Sequence, residues 1–157
     1  MAEATLFERI IAGELPAFFI AKGEGWVSFL DVYPRRDGHT LVVPTSPVSH
    51  LRELSDVESN QLMIGVKETQ RILSRYFSTE DFTVLLHDGP LAGQEIPHVH
   101  FHVIPREPGD GGRGLMSLWP DATLPSGAPN LELLEKLHLQ ITQGLQVPRR
   151  FQSLIRV

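Results

Sequence analysis

The chain has 157 residues, of which 41% are hydrophobic, a length that suits one domain and an apolar fraction sufficient for a core. It contains no cysteine, which excludes disulfides and thiolate zinc sites and fits a reducing compartment. A formal charge of −5 argues against a broad nucleic-acid surface, while small nucleotides need only local positive potential.

The N-terminus lacks the basic and apolar regions of a signal peptide, and no run approaches the roughly 18 apolar residues needed to span a bilayer. A cytoplasmic protein with neither membrane nor nucleic acid as partner is expected. Short apolar runs at about residues 16–21, 26–30, 39–43, 82–87 and 98–104, bounded by Gly, Pro or Asp, predict five strands. Between the third and fourth, Ser55-Asp-Val-Glu58 has the capping-box form, and Leu62, Val66, Thr69, Leu73 and Tyr76 recur at helical spacing. This predicts a helix over about 55–77 whose apolar stripe covers the sheet.

Residues 105–130 are rich in Gly and Pro around Gly109-Asp-Gly-Gly-Arg-Gly114 and predict a loop. A second helix should begin after Pro129 with Asn130 as N-cap, since Leu134, Leu137, Ile141 and Leu145 form a stripe ending before Pro148. Phe151 to Val157 could pair as a strand or dock on a partner. The expected fold class is α+β, a five-stranded antiparallel meander covered by one long helix, with a C-terminal helix. The expected organisation is a domain at 1–108, a loop at 109–130, and a helix and tail at 131–157 packing on the same domain.

The chemistry concentrates at His98-Val-His100-Phe-His102-Val-Ile104, where three imidazoles fall at i, i+2 and i+4 between Pro97 and Pro105. In a strand, alternate residues share a face, so the histidines line one side and Val99, Phe101 and Val103 enter the core on the other. Three readings compete. The histidines decorate a polar face; or they hold a zinc ion with a fourth position for water; or one imidazole is a nucleophile whose neighbours fix its tautomer and keep it unprotonated. The preceding run, His87-Asp-Gly-Pro-Leu-Ala-Gly-Gln94-Glu-Ile-Pro, favours the third, because its glycines permit tight turns and close approach of an anion to main-chain N–H groups.

With these residues the chain resembles the histidine-triad (HIT) family of nucleotide hydrolases and transferases, whose signature is His-φ-His-φ-His-φ-φ with φ apolar. Residues 98–104 match at every position, and the likeness runs from about Leu6 to Arg106, through Phe29-Leu-Asp31, Gly38-His39, Leu41-Val-Val-Pro44 and Ala92-Gly-Gln94. Asp88 to Gln94 look most like the diadenosine polyphosphate hydrolase branch, and Leu6 to Pro16 more like the phosphoramidase branch, so the branch stays open. The resemblance implies a HIT-like fold and a homodimer. It also implies hydrolysis of dinucleoside polyphosphates, nucleoside phosphoramidates or adenylates through a nucleotidyl-histidine, releasing AMP or GMP. No tightly bound cofactor is implied, with magnesium assisting polyphosphate substrates. A nucleotide-binding adaptor with little turnover is the rival class.

By the same resemblance His100 is the nucleophile and His98, His102 and His39 support it. His100 must then present the Nε2 lone pair, with Nδ1–H donated to a main-chain carbonyl or another acceptor. Leu6, Phe7, Ile10 and Phe29 would surround the base and Asp31 would accept from the ribose hydroxyls. The Gln94 amide, with the main-chain N–H groups of Gln94 and Glu95, would contact phosphate. Two departures bear on the leaving group: Glu95 stands where relatives carry Ser or Thr, and His87 stands where they often carry Asn or Gln, as a general acid or as a loop-orienting residue. Thr5 and Glu8 replace the Cys-x-x-Cys pair of zinc-binding members, leaving only His50. No metal is therefore expected, a mixed set of Glu8, His50 and His98 being the remaining way to build a zinc site. Arg106 and Arg113 read as solvated surface arginines rather than phosphate ligands.

Overall fold

The computed structural model of the chain describes residues 3–118 and 128–143. It divides into two units, Met1–Asp110 and Gly111–Val157. The first unit holds the helices α1 (Leu6–Ile11) and α2 (Asp56–Phe77) and the strands β1 (Phe19–Gly23), β2 (Trp26–Leu30), β3 (Thr40–Pro44), β4 (Phe82–Leu86) and β5 (Phe101–Pro105). All strand pairs are antiparallel, in the order β1-β2-β3-β5-β4. The meander runs through the first three strands. Helix α2 then carries the chain to the far edge, and β5 returns between β3 and β4. The fully buried β3 and the partly buried β5 take inner positions, while β1 and β4, each with exposed residues, take the edges.

The period-2 alternation of β2 and β3 feeds two cores, one on each face of the sheet. Trp26 and Val42 point to the face covered by α2, where they meet Leu62, Val66, Leu73, Val99 and Val103. Val27, Phe29, Leu41 and Val43 point to the opposite face, where α1 supplies Phe7 and Ile10. Strands buried on both sides read as continuous apolar runs, which is how the sequence presents them. Helix α2 approaches the sheet closely at Gly65, where a Cβ would lie 2.5 Å from the Trp26 indole.

Helix α2 opens with the expected capping box: Ser55 Oγ accepts from Glu58 N–H and the Glu58 carboxylate accepts from Ser55 N–H. Its stripe buries Leu62, Gly65, Val66, Thr69 and Leu73, but Tyr76 departs from the expectation and is 82% exposed. At 3.6 residues per turn the stripe drifts by the last turn, and Phe77 packs against the core instead.

Helix α1 was not legible as a periodic element, because six residues make fewer than two turns. The structure shows that Thr5-Leu-Phe-Glu8, read above only as standing in for a Cys-x-x-Cys pair, is a capping box, with Thr5 Oγ1 accepting from Glu8 N–H (3.1 Å) and the Glu8 carboxylate accepting from Thr5 N–H (2.6 Å).

Among the described residues of the second unit, a 3-10 turn spans Leu115–Ser117 and α3 spans Leu131–Thr142, capped as expected by Asn130, whose side chain accepts from Leu133 N–H (3.0 Å). The tail expected over 151–157 and the expected stripe residue Leu145 lie outside the described residues. Among the described residues, no helix is long and apolar enough to cross a membrane.

Candidate active site

The histidine segment enters the sheet later than its spacing suggests. The ladder of β5 starts at Phe101, so His98 and His100 lie on the extended approach to it, pinned where Val99 N–H donates to the Val48 carbonyl (2.8 Å). The side-chain alternation still holds. Val99 and Val103 are fully buried beneath α2, and the imidazoles of His100 and His102 face the other way, 5.0 Å apart between ring centroids.

They open into a cavity of about 470 Å³. One part of its lining is apolar and aromatic: Leu6, Phe7 and Ile10 from α1, Phe29 and Leu41 from the sheet, and Ile96. The remainder carries the polar groups Asp31, Arg35, His39, His87, Glu95, His100 and His102. Phe7 joins the two parts, lying edge-on to Phe29 (5.6 Å) and to His100 (5.1 Å).

Hydrogen bonds fix the ring tautomers. His100 Nδ1–H donates to the His98 main-chain carbonyl (2.8 Å), because a carbonyl can only accept, and this leaves the Nε2 lone pair of neutral His100 free. His39 Nδ1 accepts from the Arg35 main-chain N–H (3.1 Å), so its proton sits on Nε2, 2.8 Å from His102 Nδ1 and 3.5 Å from Asp31 Oδ2. His102 Nδ1 is therefore an acceptor, and the His102 proton belongs to Nε2.

Burial lowers the pKa of His98, His100 and His39 below the ordinary imidazole value, and for His39 the charge of Arg35 lowers it further while Asp31 opposes. His102 is pushed down to about 4, first by burial and then by the neighbouring His100, His39 and His87. Clustered imidazoles that share little water cannot be charged together. The site thus holds neutral, correctly oriented imidazole at neutral pH.

Two expected site residues do not line the cavity. His98 is wholly buried, with Nε2–H donating to the Pro44 carbonyl (2.9 Å) and Nδ1 accepting from Thr5 Oγ1–H (3.0 Å). It supports the site through the main-chain oxygen that holds His100 and through its ring, which lies edge-on to Phe7 (5.7 Å). Gln94 is turned inward: its amide donates to the Ser49 carbonyl (2.7 Å) and its main-chain N–H to the Gly89 carbonyl (3.1 Å), correcting the expectation that both face phosphate. A buried amide must satisfy its donor, and the Ser49 carbonyl lies within reach. The neighbouring Glu95 lines the cavity, and among the described residues its main-chain N–H makes no hydrogen bond. His87 also lines the cavity, its ring 5.5 Å from that of His102. Gly93, at φ +95°, brings the loop against His87, where a Cβ would sit 3.5 Å from the ring.

The ring nitrogens of His98 are committed, and Glu8 serves its own capping box, so the mixed Glu8–His50–His98 set offers no free ligand atoms at His98. Among the described residues, the arrangement nearest to a metal site is one the sequence did not suggest: Asp31, His39 and His102 place one ligand atom each within 4.8 Å of one another, with His39 Nε2–H donating to His102 Nδ1. Arg106 lies outside the cavity lining, its guanidinium donating twice to Asp110 (2.8 Å each) and once to Thr83 (2.8 Å). Sequence reasoning also passed over Val32, Tyr33 and Arg35, which line the cavity from the turn after Asp31. The Asp-Val-Tyr-Pro run that forms the turn was its only signal, Asp31 Oδ1 accepting from Tyr33 N–H (2.9 Å).

The HIT domain family model matches residues 12–109. An uncharacterised HIT-like protein of Methanocaldococcus jannaschii is 42% identical over 106 residues, covering 68% of this chain and 81% of that protein. The adenosine 5'-monophosphoramidase of Saccharomyces cerevisiae is 29% identical, covering 91% and 84% of the two chains. The asymmetrical bis(5'-nucleosyl)-tetraphosphatase of Schizosaccharomyces pombe is 36% identical over 83 residues, 53% of this chain and 46% of that one. The crystal structure of a HIT family protein from Bacillus subtilis superposes with a TM-score of 0.75 at 28% identity, covering 93% of this chain and all of the other. With a family model matched over more than half its length and with the relatives' fold, the chain belongs to the HIT family.

Proposed function

We propose that this enzyme hydrolyses nucleoside phosphates, transferring a nucleoside monophosphate to His100 and then to water. The observation that carries this reading is the hydrogen bond from His100 Nδ1–H to the His98 carbonyl, which leaves Nε2 as a fixed lone pair in a nucleotide-sized cavity. In the first step Nε2 attacks the α-phosphorus, a P–N bond forms, and the bond to the leaving group breaks with its electron pair. The His98 carbonyl stabilises the positive charge that develops on the ring. In the second step water attacks the same phosphorus, its proton passing to the His87 that protonated the leaving group, and His100 departs with the P–N electron pair. His102, held at Nδ1 by His39, offers Nε2–H to a phosphate oxygen, as does the Glu95 main-chain N–H. His87 takes the role of proton donor to the leaving group.

Leu6, Phe7, Ile10 and Phe29 receive the base, and Asp31 the ribose hydroxyls. The phosphoramidase and tetraphosphatase relatives support nucleoside phosphoramidates and dinucleoside polyphosphates as the substrate classes, with AMP or GMP released. Magnesium enters as part of a polyphosphate substrate. The exposed Val57, Met63, Ile64, Ile72 and Tyr76 of α2 support a homodimer, since a second copy would cover them, and a cytoplasmic setting completes the reading.

The test is AMP release from diadenosine tetraphosphate and adenosine phosphoramidate by wild type and His100→Ala, with quenching in alkaline detergent, where a P–N bond survives, to trap nucleotidyl-protein. Wild type should release AMP and trap label, and His100→Ala should do neither while still binding AMP. Turnover by His100→Ala at the wild-type rate would sink the covalent route. AMP binding by wild type without turnover would favour a nucleotide-binding adaptor.

A further inference from the structure

The turn between β2 and β3 carries two arginines with different fates. Arg36 is tied down, its guanidinium pairing with Glu107 (2.6 Å) and with the buried Asp110 (3.1 Å), where Arg106 also donates. Arg35 follows the opposite course. Its main-chain N–H holds His39 Nδ1, its side chain lines the cavity, and among the described residues its guanidinium makes no ion pair or hydrogen bond.

The turn itself is fixed at several points: Asp31 Oδ1 takes Tyr33 N–H, Asp31 N–H donates to the His39 carbonyl, His39 N–H donates to the Arg36 carbonyl, and Arg36 is clamped to Asp110. A fixed turn therefore carries, among the described residues, one unpartnered guanidinium in the cavity lining, close enough to His39 for its charge to be felt there. Its setting makes that charge consequential. Among the described residues of the lining, the other fixed charges are the carboxylates Asp31 and Glu95, and the buried imidazoles are neutral, so Arg35 is the one permanent cation there. A phosphoramidate presents a single phosphoryl group, whereas a dinucleoside polyphosphate carries several further charges beyond the one attacked. A guanidinium fork suits those additional oxygens.

We propose that Arg35 forms a subsite for the anionic leaving group, binding phosphates beyond the one attacked by His100 and setting the preference for polyphosphate over phosphoramidate substrates. The proposal rests on the hydrolase reading above. Because the side chain is exposed, its contribution should be about tenfold and should shrink with salt.

The experiment compares kcat/KM of wild type, Arg35→Lys and Arg35→Gln on diadenosine tetraphosphate and adenosine phosphoramidate at low and high salt. Arg35→Gln should lower the tetraphosphate to phosphoramidate ratio about tenfold at low salt and less at high salt. Arg35→Lys should recover part of it. An unchanged ratio, with both substrates falling together or neither falling, overturns the proposal and assigns Arg35 a role confined to the turn. If wild type turns over neither substrate, the hydrolase reading fails separately, and calorimetric binding of ATP and AMP decides the subsite. Selective weakening of ATP by Arg35→Gln supports it, and equal effects on both nucleotides overturn it.

Discussion

Thr5→Val tests the link between α1 and the histidines. The substitution keeps side-chain size and branching but removes a hydroxyl with two partners. Oγ1 accepts from Glu8 N–H as the α1 cap and donates to His98 Nδ1. Loss of the cap costs about 1 kcal/mol. The second loss is larger, because His98 is wholly buried and an unsatisfied buried acceptor costs about 1–3 kcal/mol. No change of tautomer rescues it: moving the proton to Nδ1 would leave that proton unpaired and set the Nε2 lone pair against the Pro44 carbonyl. The expected destabilisation is therefore about 2–4 kcal/mol, read from urea unfolding followed by Trp fluorescence, with Thr5→Ser near wild type. kcat should fall as well, since the His98 main chain holds His100. A loss below about 0.5 kcal/mol, within the range of ordinary surface changes, would refute the idea that this hydroxyl anchors His98.

Gly65→Ala would place a methyl 2.5 Å from the rigid, buried Trp26 ring and should destabilise by about 1–3 kcal/mol, measured by thermal unfolding; equal or higher stability would show that α2 is free to lift from the sheet. For pH, the folded pKa values of His98, His100 and His102 lie below the unfolded value of 6.5, so below that value the unfolded chain binds more protons and stability falls with pH. His102, at about 4, should cost about 3 kcal/mol between pH 6.5 and 4, and stability should be insensitive to these groups above pH 7.5; denaturation midpoints flat from pH 7.5 to 4 would contradict it. Gln94→Ala should cost about 1 kcal/mol of stability through the lost bond to Ser49 while changing kcat and KM by less than about threefold; a hundredfold loss of kcat at unchanged stability would return the amide to the phosphates.

Much of this architecture was legible because it depends on local rules. The Ser55 and Asn130 caps, the α2 stripe and the alternation through Val99, Phe101 and Val103 follow from backbone geometry and needed no long-range information. The candidate site was legible at His100 and His102, where alternation and the family signature coincide, and at His39 through the wider resemblance. It was not legible where a tertiary contact chose the environment. For Gln94 and His98 the outcome depended on the Ser49, Pro44 and Thr5 atoms brought near by distant chain segments. Arg35 and Arg36 are adjacent and chemically identical; the positions of Glu107 and Asp110 separate the clamp from the free guanidinium.

The position of β5 between β3 and β4 has a bearing on how the protein fails. The histidine segment runs into an interior strand, laddered on both sides, with Val99 and Val103 sealed under α2. Amide exchange at an edge such as β1 can proceed by fraying, but a strand bonded on both sides opens only when its neighbours part. Loss of function under heat or denaturant should therefore track global unfolding, so a population that retains the sheet retains His102 and the anchor of the segment that carries His100. Partly active, locally melted species should be scarce.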